Sequence, residues 1–277
     1  MRKKIIILFF AIFGVLKADN KSFVVLITSF NNKNYWKKNI ESVLGQSYQN
    51  FRILYVDDAS KDQTGELVEQ YIQENNLQQK IILIKNNKNV KKLANLYSVI
   101  HKFCQDYEII IELDGDDWLA HSHVLQLFNE TYQNEKIWIT YGSYLNIRGN
   151  HKTLPSNITS TKPTPEFIIT KKLYRETWIW SGLRSYYAFL FKKIRKSDLI
   201  YQTGKFAGSF FFASGDAAIM YPMLEMAGSH IAYLPDIVLF RNTETSLNDF
   251  KIHNSEQKQV RRILKNKKKY ETLKSLF

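Results

Sequence analysis

Cysteine is nearly absent from this chain. Cys104 is the single cysteine among 277 residues, so no disulfide can form within the chain. It lies in an apolar, helix-forming context, which favours a buried packing role over that of a nucleophile. The sequence therefore carries no sign of an oxidising or a reducing compartment.

No segment of the chain is apolar for long enough to suggest a membrane-spanning helix. Such a helix needs about twenty apolar residues, whereas the apolar run from Ile5 to Leu16 covers twelve residues. Three basic residues precede this run, and Ala18 follows it as a candidate cleavage position. We therefore expect residues 1–20 to be a signal peptide or N-terminal anchor that directs the protein to the secretory pathway or to a membrane.

Nucleic-acid-binding motifs are also absent, although the chain carries a formal net charge of +13. Residues 251–277 contain nine Lys or Arg against two Glu and supply more than half of that charge. We predict a basic helix within residues 249–277 whose apolar side packs on the domain, with peripheral contact to anionic lipid as the alternative. Nucleic acid is not an expected partner. The apolar residues of this segment are Val260, Ile263, Leu264, Tyr270, Leu273 and Phe277.

Strand-like and helix-like segments alternate from Phe23 onward. With 44% hydrophobic and 14% aromatic residues, the chain can bury one large core, so we assign residues 21–248 to a single domain. The alternation predicts an α/β fold with a mostly parallel sheet flanked by helices. The predicted strands are Phe23–Ser29, Phe51–Val56, Ile81–Ile84, Glu108–Leu113, Ile137–Tyr144 and a pair at Ile231–Tyr233 and Ile237–Phe240, and the predicted helices are Tyr35–Leu44, Thr64–Glu74, Val90–Phe103, His123–Tyr132, Tyr174–Phe191 and Asp216–Met226.

An apolar run ends in three carboxylates between Ile110 and Leu119. The run is typical of a buried strand, and Asp114, Asp116 and Asp117 follow at its carboxyl end, where open α/β sheets bind ligands. Clustered carboxylates repel one another unless a cation lies among them, and oxygen ligands suit Mg²⁺ or Mn²⁺ bound to substrate phosphates. The alternative is a solvated acidic turn, which the long strand before it disfavours.

A second acidic turn follows the predicted strand that ends at Val56. Asp57 and Asp58 would lie at the same edge of the sheet as the first cluster, because parallel strands end at one edge. One cluster could hold a metal on a diphosphate while the other accepts hydrogen bonds from a base or ribose, as a nucleotide ligand requires. A helix N-cap and turn is the alternative role, and both roles can hold together.

Three segments occur in a characteristic order, namely VDDAS at Val56–Ser60, NVKKLANL at Asn89–Leu96 and LDGDD at Leu113–Asp117. Together they resemble the nucleotide-binding turn, the following loop and helix, and the Asp-x-Asp metal motif of family 2 glycosyltransferases. The similarity runs from Phe23 to about Asn248, and the ordered set is far more specific than any one motif. It implies the GT-A fold, a Rossmann-like sheet flanked by helices, with a C-terminal helical extension on the acceptor side.

The resemblance implies a role for each acidic turn and for the residues around it. Asp58, with Asp57, would recognise the base of the donor, and Asp116 would coordinate Mn²⁺ or Mg²⁺. Lys91 departs from the family pattern, since many relatives carry glycine there, and could face a diphosphate. The residues implied at the donor are Thr28, Phe30, Asp57, Asp58, Lys91, Asn95, Asp114 and Arg241, and those implied at the metal are Asp116 and Asp117.

The resemblance also implies a catalytic base. Family 2 enzymes of known stereochemistry invert the anomeric centre, and a single displacement needs a base on the acceptor hydroxyl. Asp216 lies in Ser214–Gly228, a segment that resembles the family's catalytic segment at a helix start. In isolation an Asp there is more often an N-cap, but the order of the motifs favours the base. This interpretation requires Asp58, Asp116 and Asp216 to meet in one cleft.

The sequence therefore predicts a metal-dependent, inverting glycosyltransferase. It would move one sugar from a nucleotide sugar, with a UDP-sugar favoured, to a hydroxyl of a glycan, lipid or protein. The Gln-x-x-Arg-Trp motif of processive synthases is absent, which favours single transfer. One alternative is a nucleotidyltransferase, although the Gly-rich basic loop of that class is missing after Phe23. The other is a nucleotide- or sugar-binding module without catalysis.

Overall fold

A computed structural model describes residues 20–147, 158–159, 161–244 and 254–277. The predicted leader, apart from its last residue, and the predicted domain end at residue 248 lie outside these ranges. Within the described ranges, no helix is both long and apolar enough to cross a membrane.

The first half of the domain is a parallel sheet accompanied by helices. Its elements are β1 (Phe23–Ser29), α1 (Trp36–Leu44), β2 (Phe51–Asp57), α2 (Thr64–Glu74), β3 (Ile81–Lys85), α3 (Lys92–Phe103) and β4 (Ile109–Asp114). The strands lie in the order β3-β2-β1-β4, and each neighbouring pair is parallel. Consecutive residues of β1 and β4 are buried, which explains why these strands are continuous apolar runs rather than alternating ones.

The second half extends the sheet with mixed pairings. Its elements are β5 (Trp118–Leu119), α4 (Val124–Tyr132), β6 (Ile139–Ile147), β7 (Ile158–Thr159), α5 (Glu166–Thr170), β8 (Arg184–Tyr187), α6 (Ala188–Lys192), α7 (Gly215–Ala227), β9 (Ile231–Asn242) and α8 (Asn254–Asn266). The sheet continues from β4 through β8, β6, β9 and β5. β8 is antiparallel to both neighbours, whereas β6 and β9 are parallel. The predicted α/β fold is confirmed, with antiparallel pairings that the sequence does not predict.

The aromatic segment Tyr174–Phe191, for which the sequence predicts one helix, is not a continuous helix. It forms a 3₁₀ turn at Tyr174–Glu176, then strand β8 and the start of α6. Gly182 precedes β8 with φ of +80°, and a Cβ there would lie 2.2 Å from the carbonyl oxygen of Gly142. Aromatic residues fit a pleated surface well, and pairing with β4 and β6 overrides their helix propensity here.

β9 differs from the predicted pair of short strands because it runs without a break. Leu234 pairs with Gly142 and Ile237 pairs with Ser143, so Pro235 and Asp236 are extra residues in the ladder. This irregularity absorbs the proline and lets one strand continue beyond it.

The basic helix α8 packs on the domain as predicted. Val260 and Leu264 are 0% and 3% exposed, and Ile263 packs against the same core. The helix ends at Asn266, and the chain beyond it has no regular structure although Tyr270 still packs on the core. The apolar side of α8 is therefore not available to lipid.

A buried ion pair fixes α8 and the residues after it. Arg175 donates through Nε to Glu225 Oε1 at 2.6 Å and through Nη2 to Oε2 at 2.7 Å. Nη1 of Arg175 donates to the carbonyl oxygens of Leu264 at 2.6 Å and Lys267 at 2.7 Å, in the last turn of α8 and just beyond it. The backbone N–H of Tyr270 donates to Glu225 Oε2 at 2.9 Å. One pair therefore joins α7, α8 and the C-terminal segment.

Replacing Arg175 by alanine should lower the free energy of unfolding by about 3–5 kcal/mol, because Glu225 would stay buried without its partner. The matched control is Lys265→Ala, which removes an exposed ion pair with Glu176 and should cost less than about 1 kcal/mol. Urea denaturation of both variants measures the difference. Equal losses in the two variants would show that the buried pair does not hold the C-terminal segment.

Candidate active site

A cleft of about 570 Å³ lies at the carboxyl edge of the parallel strands. The loops after β1, β2 and β4 form one side of it, and the start of α7, the end of β9 and helix α8 contribute to the rest. This is the edge at which open α/β sheets bind ligands. The sequence-predicted residues that line the cleft are Thr28, Phe30, Asp58, Lys91, Asn95, Asp114, Asp116, Asp117, Asp216 and Arg241.

Asp57 does not line the cleft. Its Oδ2 accepts a hydrogen bond from the backbone N–H of Ser60 at 3.2 Å, and a Cβ on Gly65 would lie 2.9 Å from the same oxygen. Burial raises the pKa of Asp57 above its usual value, and the hydrogen bond from Ser60 only partly offsets this. Asp57 therefore takes the turn role that the sequence offers as an alternative, at the junction between β2 and α2.

Asp58 organises the loop before α3. Its Oδ1 accepts hydrogen bonds from Asn86 Nδ2 at 2.8 Å and from the N–H of Val90 at 2.9 Å, and its Oδ2 accepts one from the N–H of Lys91 at 2.8 Å. A carboxylate oxygen can accept two bonds, so Oδ2 retains capacity for a ligand donor. Asp58 can thus hold the loop and recognise a nucleotide base at once.

Lys91 has a backbone conformation that normally belongs to glycine. Its φ is 73° and its ψ is 160°, a region that non-glycine residues enter only under strain. The bond from its N–H to Asp58 and the bond from Asn95 N–H to its carbonyl oxygen, at 3.1 Å, maintain this conformation. Its ammonium lies 5.9 Å from the ring centre of Phe30. The loop therefore keeps a glycine-like backbone while adding a cation to the cleft.

The acidic turn after β4 approaches β1 closely. A Cβ on Gly115 would lie 2.7 Å from Ser29 Oγ and from Asn32 Nδ2, so the turn requires glycine. Asp117 accepts a hydrogen bond from the N–H of Asn242 at 2.8 Å, which ties the turn to the end of β9. Burial and the charges of Asp116 and Asp114 raise the pKa of Asp117 well above its usual value.

Asp114 behaves differently from Asp117 because it has a cationic partner. Burial alone would raise the pKa of Asp114, but the ammonium of Lys92 and the guanidinium of Arg184 outweigh burial, and the pKa is lowered. Lys92 Nζ donates directly to Asp114 Oδ1. Two carboxylates of one turn are thus held in opposite electrostatic environments.

The acidic turn fits a divalent cation that arrives with a diphosphate. In the described residues, no three His, Cys, Asp or Glu side chains are grouped as a complete ligand set. Mg²⁺ and similar ions, however, commonly use only one or two protein carboxylates together with water and substrate phosphates. Asp116 lines the cleft, and the repulsion that raises the pKa of Asp117 is the kind that a cation relieves. These two carboxylates are therefore suitable donors.

Glu112 on β4 is a buried carboxylate that lines the cleft and that the sequence did not predict. Tyr186 donates its hydroxyl to Glu112 Oε1 at 2.9 Å. Glu112 Oε2 lies 3.5 Å from Arg184 Nη2 and 3.8 Å from Lys92 Nζ. The sequence does show a glutamate inside an apolar strand. Because such residues are almost never buried unless they are paired, this position could have indicated a buried ion pair. Glu112 compensates both cations.

Asp216 lies in the first turn of α7 and reaches the cleft. Its Oδ1 accepts a hydrogen bond from the N–H of Ala217 at 2.8 Å, and its Oδ2 lies 3.8 Å from Arg184 Nη1. Its side chain is 35% exposed, so a ligand can approach it. Asp58, Asp116 and Asp216 therefore line one cleft, as the sequence interpretation requires.

Solved structures define the class of this fold. The structure of residues 1–349 of Staphylococcus aureus TarS matches with a TM-score of 0.60 and 16% identity, over 88% of this chain and 64% of that chain. The Pyrobaculum calidifontis mannosyltransferase PcManGT, in complex with GDP-Man and Mn²⁺, matches with a TM-score of 0.59 and 13% identity, over 90% of this chain and 65% of that chain. The fold is that of the GT-A glycosyltransferases, as predicted.

The family model "Glycosyl transferase family 2" matches residues 24–198, and the chain belongs to this family. Glycosyltransferase GlyG of Streptococcus pneumoniae is 22% identical over 80% of this chain and 71% of its own length. The Escherichia coli enzyme WfaP, a UDP-Glc:alpha-D-GlcNAc-diphosphoundecaprenol beta-1,3-glucosyltransferase, is 32% identical over 43% of this chain and 45% of its own length. Several other curated glycosyltransferases are matched over less than half of their length. This membership favours glycosyl transfer over nucleotidyl transfer.

Replacing Lys91 by glycine should raise the free energy of unfolding by about 1 kcal/mol, because it relieves a strain of about 1–3 kcal/mol and part of the gain is offset by glycine's freedom in the unfolded chain. Lys91→Ala removes the same ammonium but keeps the Cβ, so it should not stabilise the protein. Urea denaturation followed by tryptophan fluorescence compares the two variants. If both variants unfold at the same urea concentration, the backbone of Lys91 is not strained.

Proposed function

We propose that this protein is a metal-dependent glycosyltransferase that moves one sugar from a nucleotide sugar to a hydroxyl acceptor with inversion. The observation that carries the proposal is the meeting of Asp58, Asp116 and Asp216 in one cleft at the carboxyl edge of the sheet. Membership of glycosyl transferase family 2 supports the reaction type. Together they support a single site with a nucleotide end, a metal end and an acceptor end.

The donor would bind along the loops after β1 and β2. Asp58 would accept a hydrogen bond from the base, and Thr28 and Phe30 would line the base pocket. Lys91 and Arg241 line the same cleft and would face the diphosphate, since cations hold phosphate oxygens strongly. We infer a UDP-sugar, and two similar proteins support this, namely WfaP with its UDP-Glc donor and TarS in complex with UDP-GlcNAc.

Asp116 and Asp117 would hold the divalent cation, Mn²⁺ or Mg²⁺. When bound, the cation would neutralise the charge that develops on the leaving diphosphate. The presence of Mn²⁺ in the PcManGT complex supports a metal in this family of folds. Lys92 would keep Asp114 oriented at the rim of the same turn.

Asp216 would act as the base on the acceptor hydroxyl. The hydroxyl oxygen forms its bond to the anomeric carbon as the bond from that carbon to the diphosphate breaks, and Asp216 receives the hydroxyl proton. Attack from the side opposite the leaving group inverts the anomeric centre. Arg184, 3.8 Å from the carboxylate, would hold Asp216 in place for this step.

Asp216→Asn should reduce transfer or donor hydrolysis by about 10²–10⁴-fold, the usual contribution of a general base, while the affinity for UDP stays within about twofold. Turnover is measured on a panel of nucleotide sugars with Mn²⁺, and UDP affinity by calorimetry. The matched control, Asp236→Asn, changes an exposed carboxylate on β9 and should leave both values unchanged. A wild-type protein that binds UDP without turning over any donor would favour the binding-module alternative.

Removal of Mn²⁺ and removal of the Asp116 carboxylate should each weaken UDP binding, because both would break the same proposed metal site. Chelation of Mn²⁺ should lower UDP affinity at least about tenfold in the wild type, because metal sites lose about 10–100-fold even when supporting groups are changed. Asp116→Asn should bind UDP weakly with or without Mn²⁺. Calorimetric titrations at several Mn²⁺ concentrations provide the measurement. An Mn²⁺ dependence that survives in Asp116→Asn would remove Asp116 from the metal site.

A further inference from the structure

We propose that the acceptor carries an anionic group, a phosphate or a carboxylate, and that Arg261 of helix α8 binds it beside the indole of Trp178. This inference rests on the proposed glycosyltransferase function and names the class of its acceptor. Arg261 lies beyond the residues matched by the family model, which end at residue 198. The proposed acceptor contact therefore lies outside the segment that the family model matches.

Helix α8 lies next to the start of α7, where Asp216 is found. Ser214 donates its hydroxyl to the carbonyl oxygen of Gln257 at 3.3 Å, and both residues line the cleft together with Asp216. Arg261 follows one turn later on α8 and also lines the cleft. The guanidinium therefore belongs to the part of the cleft that holds the proposed base.

Arg261 forms no ion pair with any carboxylate of residues 20–147, 161–244 or 254–277. Its Nε is buried and makes no hydrogen bond within these ranges. Its guanidinium carbon lies 5.8 Å from the ring centre of Trp178, which in turn packs edge-on against Tyr221 at 5.9 Å. A buried donor without a partner is costly, and an oxygen of a bound ligand would satisfy it.

The other cations that line the cleft either pair with carboxylates of the protein or lie on the proposed donor side. Arg184 and Lys92 pair with carboxylates of the protein. Lys91 lies near Phe30 on the donor side, and Arg241 is close enough to the acidic turn to lower the pKa of Asp114. The diphosphate of the donor thus has two cations of its own, and among the described residues no carboxylate pairs with Arg261, so an anionic group on the acceptor is the countercharge that we infer for it.

The side chains of Arg261 and Trp178 together suit a sugar that bears an acidic group. A guanidinium binds phosphate and carboxylate through paired hydrogen bonds, which places the anion in a fixed orientation. The partly exposed face of Trp178 offers a flat apolar surface of the kind on which a sugar ring packs. A neutral sugar could offer Arg261 only hydroxyl oxygens, which bind a guanidinium more weakly than an anionic group does.

The test compares matched probes on the full chain, with and without saturating UDP and Mn²⁺. The probes are glucose 6-phosphate, glucuronate and methyl glucoside, and affinities are measured by calorimetry. At least one anionic probe should bind about tenfold more tightly than methyl glucoside. Arg261→Gln should abolish this preference, Arg261→Lys should retain part of it, and Arg262→Gln, an exposed neighbour on α8, should retain all of it.

Equal binding of all three probes, or a preference that survives in Arg261→Gln, would overturn the inference. So would a loss of binding to vesicles of phosphatidylglycerol in Arg261→Gln without any change in sugar preference, because Arg261 would then face a membrane. The comparison between glucose 6-phosphate and glucuronate identifies which anionic group is preferred. UDP titration of the same samples tests the donor site independently, so its failure is distinct from a failure at Arg261.

Discussion

A single buried carboxylate, Glu112, links the two sides of the cleft. It lies on a strand of apolar residues with 5% of its surface exposed, where an uncompensated charge would be very costly. Arg184 and Lys92 compensate it and are thereby fixed in position. Each of them then pairs with a second carboxylate, Asp216 for the arginine and Asp114 for the lysine. The acidic turn after β4 and the proposed base Asp216 therefore depend on the same buried charge.

The sequence correctly places the residues after β1, β2 and β4 at one edge of the sheet, apart from Asp57, because their positions follow from local signals. Apolar runs locate the strands, acidic turns locate their ends, and parallel pairing brings those ends to one edge. The positions of Asp58 and Asp116 in the cleft can accordingly be predicted without information on tertiary packing. The same reasoning fails for Asp57, because successive side chains of a strand point to opposite faces of the sheet. The predicted strand ends at Val56, whereas the observed one includes Asp57 and directs it away from the cleft.

Near the start of α7 the family resemblance identifies Asp216, but the cations around it cannot be predicted from local signals because their contacts join distant parts of the chain. Arg184 reaches the cleft because β8 inserts between β4 and β6. This pairing overrides the helix propensity of the aromatic segment that contains β8. Arg261 reaches the cleft because the buried pair of Arg175 and Glu225 fixes α8 against α7. The spacing of basic residues along α8 would be the same if the helix lay elsewhere. Tertiary packing therefore decides which cation of α8 lines the cleft.

In the loop before α3, Lys91 has a strained backbone conformation and places a positive charge in the cleft. Lys91 holds a φ of 73°, which glycine would adopt without strain, and Asp58 maintains it by accepting the N–H groups of Val90 and Lys91. The same Asp58 carboxylate is the proposed contact to the donor's base, so one group sets both the loop and the recognition of the nucleotide. Because the loop is ordered before a donor arrives, binding does not bear the cost of ordering it. A glycine would make the loop more stable, but it would remove one of the two cations that we propose for the diphosphate.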